Sequence, residues 1–125
     1  MSYLKSYKEL IVWQKSIELV KQIYIITGKF PKVELYGIIS QMRRAVISIP
    51  STIAEGYGRK SPKEYAQYLS IAYGSALELE TQIIISKELN FVKPGDFTKA
   101  EDLLMEVSKM LNSMTSKFKN LNARP

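Results

Sequence analysis

The sequence of 125 residues contains no cysteine and no histidine. Disulfides, thiolate chemistry and zinc sites built from these side chains are therefore excluded, and so is the side chain that enzymes use most often as a general base. Carboxylates, lysines, arginines, tyrosines and hydroxyls are the groups left for chemistry. We therefore expect a protein that is not an enzyme and that holds neither a metal ion nor another cofactor.

Long apolar runs are also missing. Apolar runs such as those at residues 23–26 and 83–85 extend over only a few residues, whereas crossing a bilayer takes roughly 20 apolar residues. Residues 1–6 have neither the apolar run nor the cleavage site of a signal peptide. We expect a cytoplasmic protein that makes no contact with a membrane.

The composition that remains is that of a basic globular protein. Hydrophobic residues make up 46% of the chain, which is enough for one core and predicts a single domain over residues 1–125. The net charge of +6 favours acidic partners, nucleic acid above all, although a basic protein without such a partner has the same composition. Residues 1–60 carry ten basic and four acidic side chains, and residues 107–125 carry four basic side chains and no acidic one. This uneven distribution indicates that different faces meet different partners.

Hydrophobic periodicity predicts that the first helix covers residues 6–27. One apolar stripe follows the three–four spacing of a helix seam. It consists of Leu10, Trp13, Ile17, Val20 and Tyr24. A second, adjacent stripe consists of Ile11, Leu19, Ile23 and Ile26. Two stripes on one helix indicate that it buries more than one face, and Gly28 and Pro31 end it.

The second predicted helix contains a proline. Its apolar stripe begins after Glu34 and ends before Gly56 and Gly58. Pro50 lies inside this stripe, where it lacks a backbone donor and clashes with the carbonyl of Val46. We predict a kink at Pro50, with a break into two helices as the alternative.

The third helix has the clearest start signal in the chain. Ser61, Pro62 and Glu64 have the spacing of a capping box with a proline in the first turn. The apolar seam then continues to about Leu89. Gly74 lies inside this helix among small residues, and a glycine there predicts the close approach of a neighbouring helix.

The fourth helix follows a turn at residues 90–95. Asp96 is its predicted cap, and apolar residues in three–four spacing continue to Leu121. Four amphipathic helices joined by short loops predict an all-α, up-down antiparallel four-helix bundle.

Four short segments are more specific than this periodicity. They are residues 30–37 (FPKVELYG), 41–45 (QMRRA), 48–56 (SIPSTIAEG) and 75–82 (SALELETQ). These segments closely resemble the signature of a four-helix-bundle family encoded in intervening sequences of bacterial 23S ribosomal RNA genes, also known as the S23 ribosomal protein family. The resemblance covers nearly the whole chain, from Leu10 into the fourth helix. One departure is the pair Ser51 and Thr52, where the family often has alanine or glycine followed by asparagine.

The resemblance implies an all-helical bacterial protein that assembles as a ring of five subunits. More distantly, the chain is similar to the accessory variability protein of diversity-generating retroelements. Those relatives are implied to bind nucleic acid and a reverse transcriptase through a basic surface. Together with the surplus apolar surface of the first helix, the resemblance leads us to expect a homopentamer.

Two arginines and three glutamates form the first set of candidate residues. Arg43 and Arg44 flank the apolar stripe of the second helix, near the level of the core, and a buried arginine needs a partner. We therefore favour structural ion pairs over phosphate binding for these two residues. The candidate partners are Glu55, Glu78 and Glu80. Without histidine, the glutamates cannot complete the Glu-x-x-His set of a di-iron bundle.

The second set consists of candidate nucleic-acid-binding residues. They are Arg59, Lys60, Lys63, Lys15, Lys21, Lys117 and Lys119. Residues 56–60 lack the spacing of a phosphate-binding P-loop and are predicted to be a helix-ending turn. Their basic side chains nevertheless lie just before a helix N-terminus, where backbone N–H groups favour anions. Tyr57 and Tyr73 are further candidates for stacking on bases, whereas Tyr24, Tyr65 and Trp13 are expected in the core.

The predicted function is that of a basic, self-assembling module that binds RNA or DNA through phosphates. The sequence shows no zinc finger, no RNP motif and no plain helix-turn-helix, so we expect weak sequence specificity and steep salt dependence. The alternative is a structural scaffold or a protein-binding adaptor with no nucleic-acid role, in which the basic face meets an acidic protein.

Overall fold

Four long helices form the fold. The computed structural model describes residues 5–123, except for the side chains of Asn122 and Ala123. The helices are α1 (Ile11–Thr27), α2 (Ser40–Tyr57), α3 (Pro62–Glu88) and α4 (Thr98–Ala123). Residues 1–4, considered above for a signal peptide, and Arg124 of the basic C-terminal segment lie outside the described residues.

Short helical turns precede or connect the long helices. Three of them are 3-10 turns, at Tyr7–Glu9, Lys32–Glu34 and Pro94–Phe97, and a π-helical turn at Leu35–Ile39 leads into α2. Asp96 therefore lies inside a 3-10 turn and does not form the predicted cap of α4, which begins at Thr98.

Each long helix packs against two neighbours in a closed cycle, α1 on α2, α2 on α3, α3 on α4 and α4 on α1. Together they enclose a shared apolar core whose largest fully buried members include Phe97, Leu19, Met42 and Leu79. The predicted all-α four-helix bundle is confirmed. Over residues 5–123, no helix is both long and apolar enough to cross a membrane.

The buried face of α1 differs from the predicted main stripe. Its buried residues are Val12, Ser16, Leu19, Ile23, Ile26 and Thr27. The predicted stripe through Trp13, Ile17 and Val20 is only partly buried, and Tyr24 is exposed, so its expected place in the core was wrong. The buried face was not recognised in the apolar pattern because a polar residue, Ser16, occupies one of its positions. The Ser16 hydroxyl donates to the Trp13 carbonyl at 2.7 Å, and this hydrogen bond allows Ser16 to be buried.

A kink was predicted at Pro50, with a break into two helices as the alternative. The chain kinks at Gly37, which has φ −109° and ψ −115°, whereas α2 continues through Pro50 to Tyr57. The alternative of two helices separated at Pro50 is therefore wrong. The start of α1 also differs from its prediction, because Ser6 caps the preceding 3-10 turn by accepting the N–H of Lys8 at 3.0 Å.

Helix α3 begins as predicted. The Ser61 hydroxyl accepts the backbone N–H of Glu64 at 3.1 Å, which satisfies one of the N–H groups that have no partner within the helix. The close approach of a neighbouring helix that was predicted at Gly74 does not occur within the described subunit. No atom of another helix lies within 4 Å of a Cβ built on Gly74. The close approach occurs at Gly56, where a Cβ would lie 2.5 Å from the Cβ of Tyr68. Helices α2 and α3 are thus in tight contact where α2 ends.

Candidate nucleic-acid interface

The topology brings three segments to one end of the bundle. The start of α1 with its preceding turn, the α2–α3 connection and the last turns of α4 all lie there. Two contacts show this: the rings of Tyr65 in α3 and Phe118 in α4 are 4.7 Å apart between centroids, and Tyr7 lines the same groove as Ala54 of α2. Residues far apart in the sequence therefore share one surface.

This end, which we call the basic end, carries most of the net charge. It is defined by seven basic residues, Lys5, Lys8, Arg59, Lys60, Lys63, Lys117 and Lys119, and three acidic residues, Glu9, Glu55 and Glu64. The opposite end, which we call the neutral end, has five charged residues of each sign apart from Arg43 and Arg44, which lie in the first turn of α2. Its charged residues are Lys29, Lys32, Lys87, Lys93, Lys99, Glu34, Glu88, Asp96, Glu101 and Asp102. The positive potential of the subunit is therefore concentrated at one end.

The basic side chains of the basic end form no ion pair with a carboxylate among residues 5–121. The ion pairs within that part of the chain are Lys15–Glu106, Lys21–Glu18 and Lys87–Glu101. All three lie along the middle of the bundle or at the neutral end. The charge of the basic end is consequently available to an external anion.

The structure brings together five of the seven predicted nucleic-acid-binding residues and separates the other two. Arg59, Lys60, Lys63, Lys117 and Lys119 lie at the basic end. The other two, Lys15 and Lys21, lie midway along α1, and each is paired with a glutamate. The partner of Lys21 stands at helical i,i+3 spacing and was visible in the sequence, but the partner of Lys15 is on α4.

Sequence reasoning missed one side chain of this site, Tyr68. The Cζ of Arg59 lies 4.7 Å from the centroid of the Tyr68 ring, and Nη2 of Arg59 donates a hydrogen bond to the Tyr68 hydroxyl. Tyr68 is partly buried, and Arg59 is exposed. No motif links the two residues, because Arg59 follows α2 and Tyr68 belongs to α3.

Arg43 is held within the subunit, but not by a carboxylate. Its Nε donates to the Thr27 hydroxyl at 3.0 Å, and its Cζ lies 4.4 Å above the ring centroid of Tyr24. Its Nη2 approaches the Tyr24 carbonyl at 3.5 Å. Because carbonyls in the last turn of a helix carry partial negative charge, the end of α1 can stabilise this cation without an acidic residue.

The predicted pairs between arginine and glutamate are not formed within the described subunit. Arg44 is exposed, and neither it nor Glu55 or Glu80 has an ion pair among residues 5–121. Glu78 accepts a long hydrogen bond, 3.5 Å, from the side-chain amide of Gln82. Over the described chain, no group of three or more acidic side chains has an arrangement that could hold a metal ion.

A shallow apolar groove runs between α1 and α2. It consists of two adjoining depressions of about 370 and 380 Å³ that share Ile47. The α1 side of the groove is formed by Trp13, Ile17, Val20 and Tyr24. These residues belong to the first apolar stripe predicted for α1. In a single subunit this stripe remains partly exposed.

Comparison with known proteins identifies the family. The sequence model described as 23S rRNA-intervening sequence protein matches residues 8–113, which includes α1, α2, α3 and more than half of α4. No curated protein matches the chain significantly. The family match confirms the resemblance found in the four short segments, and the chain belongs to the 23S rRNA-intervening sequence protein family.

Proposed function

We propose that this chain is a non-enzymatic, self-assembling protein that binds nucleic acid through phosphate contacts at its basic end. The observation that carries the proposal is the concentration of basic side chains without carboxylate partners at one end of the bundle. Lysines and arginines that contact phosphates release counterions, and this supplies affinity without reading the bases. Such binding is weakly sequence-specific and weakens steeply as salt is added.

The groove between α1 and α2 supports the self-assembly. A second copy of the chain is its proposed occupant, because the groove is apolar and the stripe of α1 that lines it, from Trp13 to Tyr24, is only partly buried within the subunit. The family resemblance implies a ring of five, so we propose a homopentamer. In such an assembly the basic ends of several copies act on one nucleic acid, which raises the total number of phosphates bound.

A second candidate function is that of a scaffold that binds another protein. The observation that favours it is the same groove, whose rim carries Arg43 and Arg44 beside the exposed Tyr36. A partner helix with apolar and acidic side chains would fit this surface. Light scattering separates the two occupants: a mass several times 14.3 kDa indicates self-assembly, and a monomer leaves the groove to another protein.

The proposed nucleic-acid binding is tested by anisotropy titrations of labelled RNA, duplex DNA and single-stranded DNA at several salt concentrations. The variant with Arg59→Ala, Lys60→Ala and Lys63→Ala should bind all three ligands more weakly. Its slope of log affinity against log salt should fall by about 0.7–0.9 for each phosphate that the variant no longer neutralises.

A matched control removes the same charge from the neutral end, through Lys29→Ala, Lys32→Ala and Lys93→Ala. This control should change the salt slope far less, because those lysines lie among as many carboxylates. Absence of binding by the wild-type protein at low salt would contradict the proposal and favour the scaffold. If both triple variants lose the same affinity, binding depends on the net charge of the protein and not on where the basic side chains lie.

A further inference from the structure

Arg59 differs from the neighbouring lysines because its guanidinium group is held in place. The Tyr68 ring lies under it, and the Tyr68 hydroxyl accepts one of its N–H groups. The backbone N–H of Arg59 also donates to the Gly56 carbonyl at 3.0 Å. By contrast, Lys60 and Lys63 have no side-chain hydrogen bond or ion pair with any residue of the described chain.

The tight contact between α2 and α3 explains why Tyr68 lies in this position. Because Gly56 has no side chain, the Tyr68 Cβ can approach the backbone of α2 where a Cβ on residue 56 would be only 2.5 Å away. The ring is thereby placed against the last turn of α2, directly beside the turn that contains Arg59. The position of the guanidinium group is thus determined by the packing of two helices.

The interactions of Arg59 leave its charge and most of its donors available. A guanidinium group has five N–H donors, and the Tyr68 hydroxyl is a neutral acceptor that uses one of them. The planar fork of arginine matches the oxygens of a phosphate group better than the single ammonium of lysine does. An arginine that is already ordered also loses less side-chain entropy when it binds.

We infer that Arg59 is a preorganised phosphate ligand and that Tyr68 is its positioning residue, with Lys60 and Lys63 adding charge beside it. This inference rests on the proposed nucleic-acid binding and names the side chain that dominates it. The ligand group is a phosphate, supplied by the backbone of a nucleic acid. Free inorganic phosphate has the same chemistry, so the experiment includes it as a separate arm.

The experiment is a double-mutant cycle on Arg59 and Tyr68, read by anisotropy of a labelled RNA at several salt concentrations. Arg59→Ala should weaken binding roughly tenfold, as expected when a charge-assisted hydrogen bond is removed, and should lower the salt slope by about 0.7–0.9. Tyr68→Leu should weaken binding by about threefold to tenfold and leave the slope unchanged, since the charge of the protein is the same. With Arg59→Ala already present, Tyr68→Leu should have no further effect.

Three additional variants show whether positioning is the cause. Tyr68→Phe keeps the ring and should retain part of the affinity, whereas Arg59→Lys keeps the charge and should not restore it. Ile84→Ala removes an exposed large side chain from the same helix, away from the basic end, and should leave binding unchanged. Thermal melts and light scattering of each variant separate a loss of binding from a loss of folding or assembly.

The outcomes distinguish this inference from the proposed function. If the wild-type protein binds RNA and Tyr68→Leu binds it equally well, Tyr68 has no positioning role, and the proposed function stands. If no nucleic acid is bound at low salt, the proposed function fails, and the inference fails with it. If Arg59→Ala abolishes the binding of inorganic phosphate and leaves the affinity for RNA unchanged, Arg59 belongs to a small-anion site, and a nucleic-acid backbone is not its ligand.

Discussion

Two arginines of this bundle are stacked on tyrosines, and their surroundings give them different roles. Near the neutral end, Arg43 lies over Tyr24 and also donates to the Thr27 hydroxyl, so its interactions join the end of α1 to α2. At the basic end, Arg59 lies over Tyr68 but remains exposed. The same pair of residue types therefore links helices in one place and presents a cation to solvent in the other. Arg43 is half-buried and bonds to two residues of α1, whereas Arg59 is exposed and, among the described residues, its side chain bonds only to Tyr68.

The largest expected effect is the decrease in folding stability on removing Arg43. Arg43→Ala should lower the free energy of unfolding by about 2–3 kcal/mol, because it removes a charge-assisted hydrogen bond and a cation–π interaction. Arg59→Ala should lower it by only about 0.5–1 kcal/mol, because its contacts with Tyr68 are exposed. Urea denaturation of the two variants measures both values. Equal decreases in stability would show that the two stacked pairs do not differ in role.

The next effect concerns the glycine that lets Tyr68 approach α2. Gly56→Ala should cost about 2 kcal/mol, because the new Cβ overlaps the Tyr68 Cβ and forces the helices apart. Gly74→Ala is the control, since space is open there, and it should raise stability by about 1 kcal/mol. Thermal denaturation measures the stability of both variants relative to the wild-type protein. A destabilised Gly74→Ala protein would indicate that another subunit packs closely on that glycine.

A smaller effect is expected at Tyr65, which lies beneath the basic end. Burial, with a further contribution from Tyr57, raises the pKa of Tyr65 from 10.0 to about 12, and its hydroxyl has no hydrogen-bond partner among the described residues. Tyr65→Phe should therefore gain about 1 kcal/mol at neutral pH.

The pH dependence of the same residue provides an independent measurement. The unfolded chain releases the Tyr65 proton near pH 10.0, whereas the folded protein retains it to about pH 12. The ionisation of Tyr65 therefore leaves folding stability unchanged below pH 10 and lowers it as the pH rises from 10 to 12. Urea titrations across that range should show a steeper decline for the wild-type protein than for Tyr65→Phe, and identical declines would contradict the assigned burial.

The smallest effect is expected for Arg44, whose sequence position beside Arg43 suggested a similar structural role. Arg44 is exposed and has no ion pair among residues 5–121. Arg44→Ala should therefore change the unfolding free energy of the subunit by less than about 0.5 kcal/mol. If light scattering shows a smaller particle for this variant, Arg44 acts between subunits instead.

The sequence was sufficient for the four helices and for the start of α3, because these depend on local spacing and capping. It was insufficient where a feature depends on a partner elsewhere in the chain. Ser16 occupies a core position because of a local hydrogen bond, which an apolar pattern does not register. The basic end combines lysines from α4 with Arg59 from the α2–α3 turn, and only the topology unites them. Tyr68 was missed for the same reason.

The packing of α1 against α4 has a consequence for the synthesis of the chain. The buried face of α1 includes Leu19 and Ile23, and α4 completes its burial through Val107 and Leu111. Helix α4 is synthesised after the other three helices. During translation, α1, α2 and α3 can pack together through residues that are close in sequence. The apolar surfaces of α1 and α3 that later contact α4 stay exposed to solvent until α4 is made. The nascent chain therefore passes through a stage with exposed hydrophobic surface, and closure of the bundle is the step that removes this risk of aggregation.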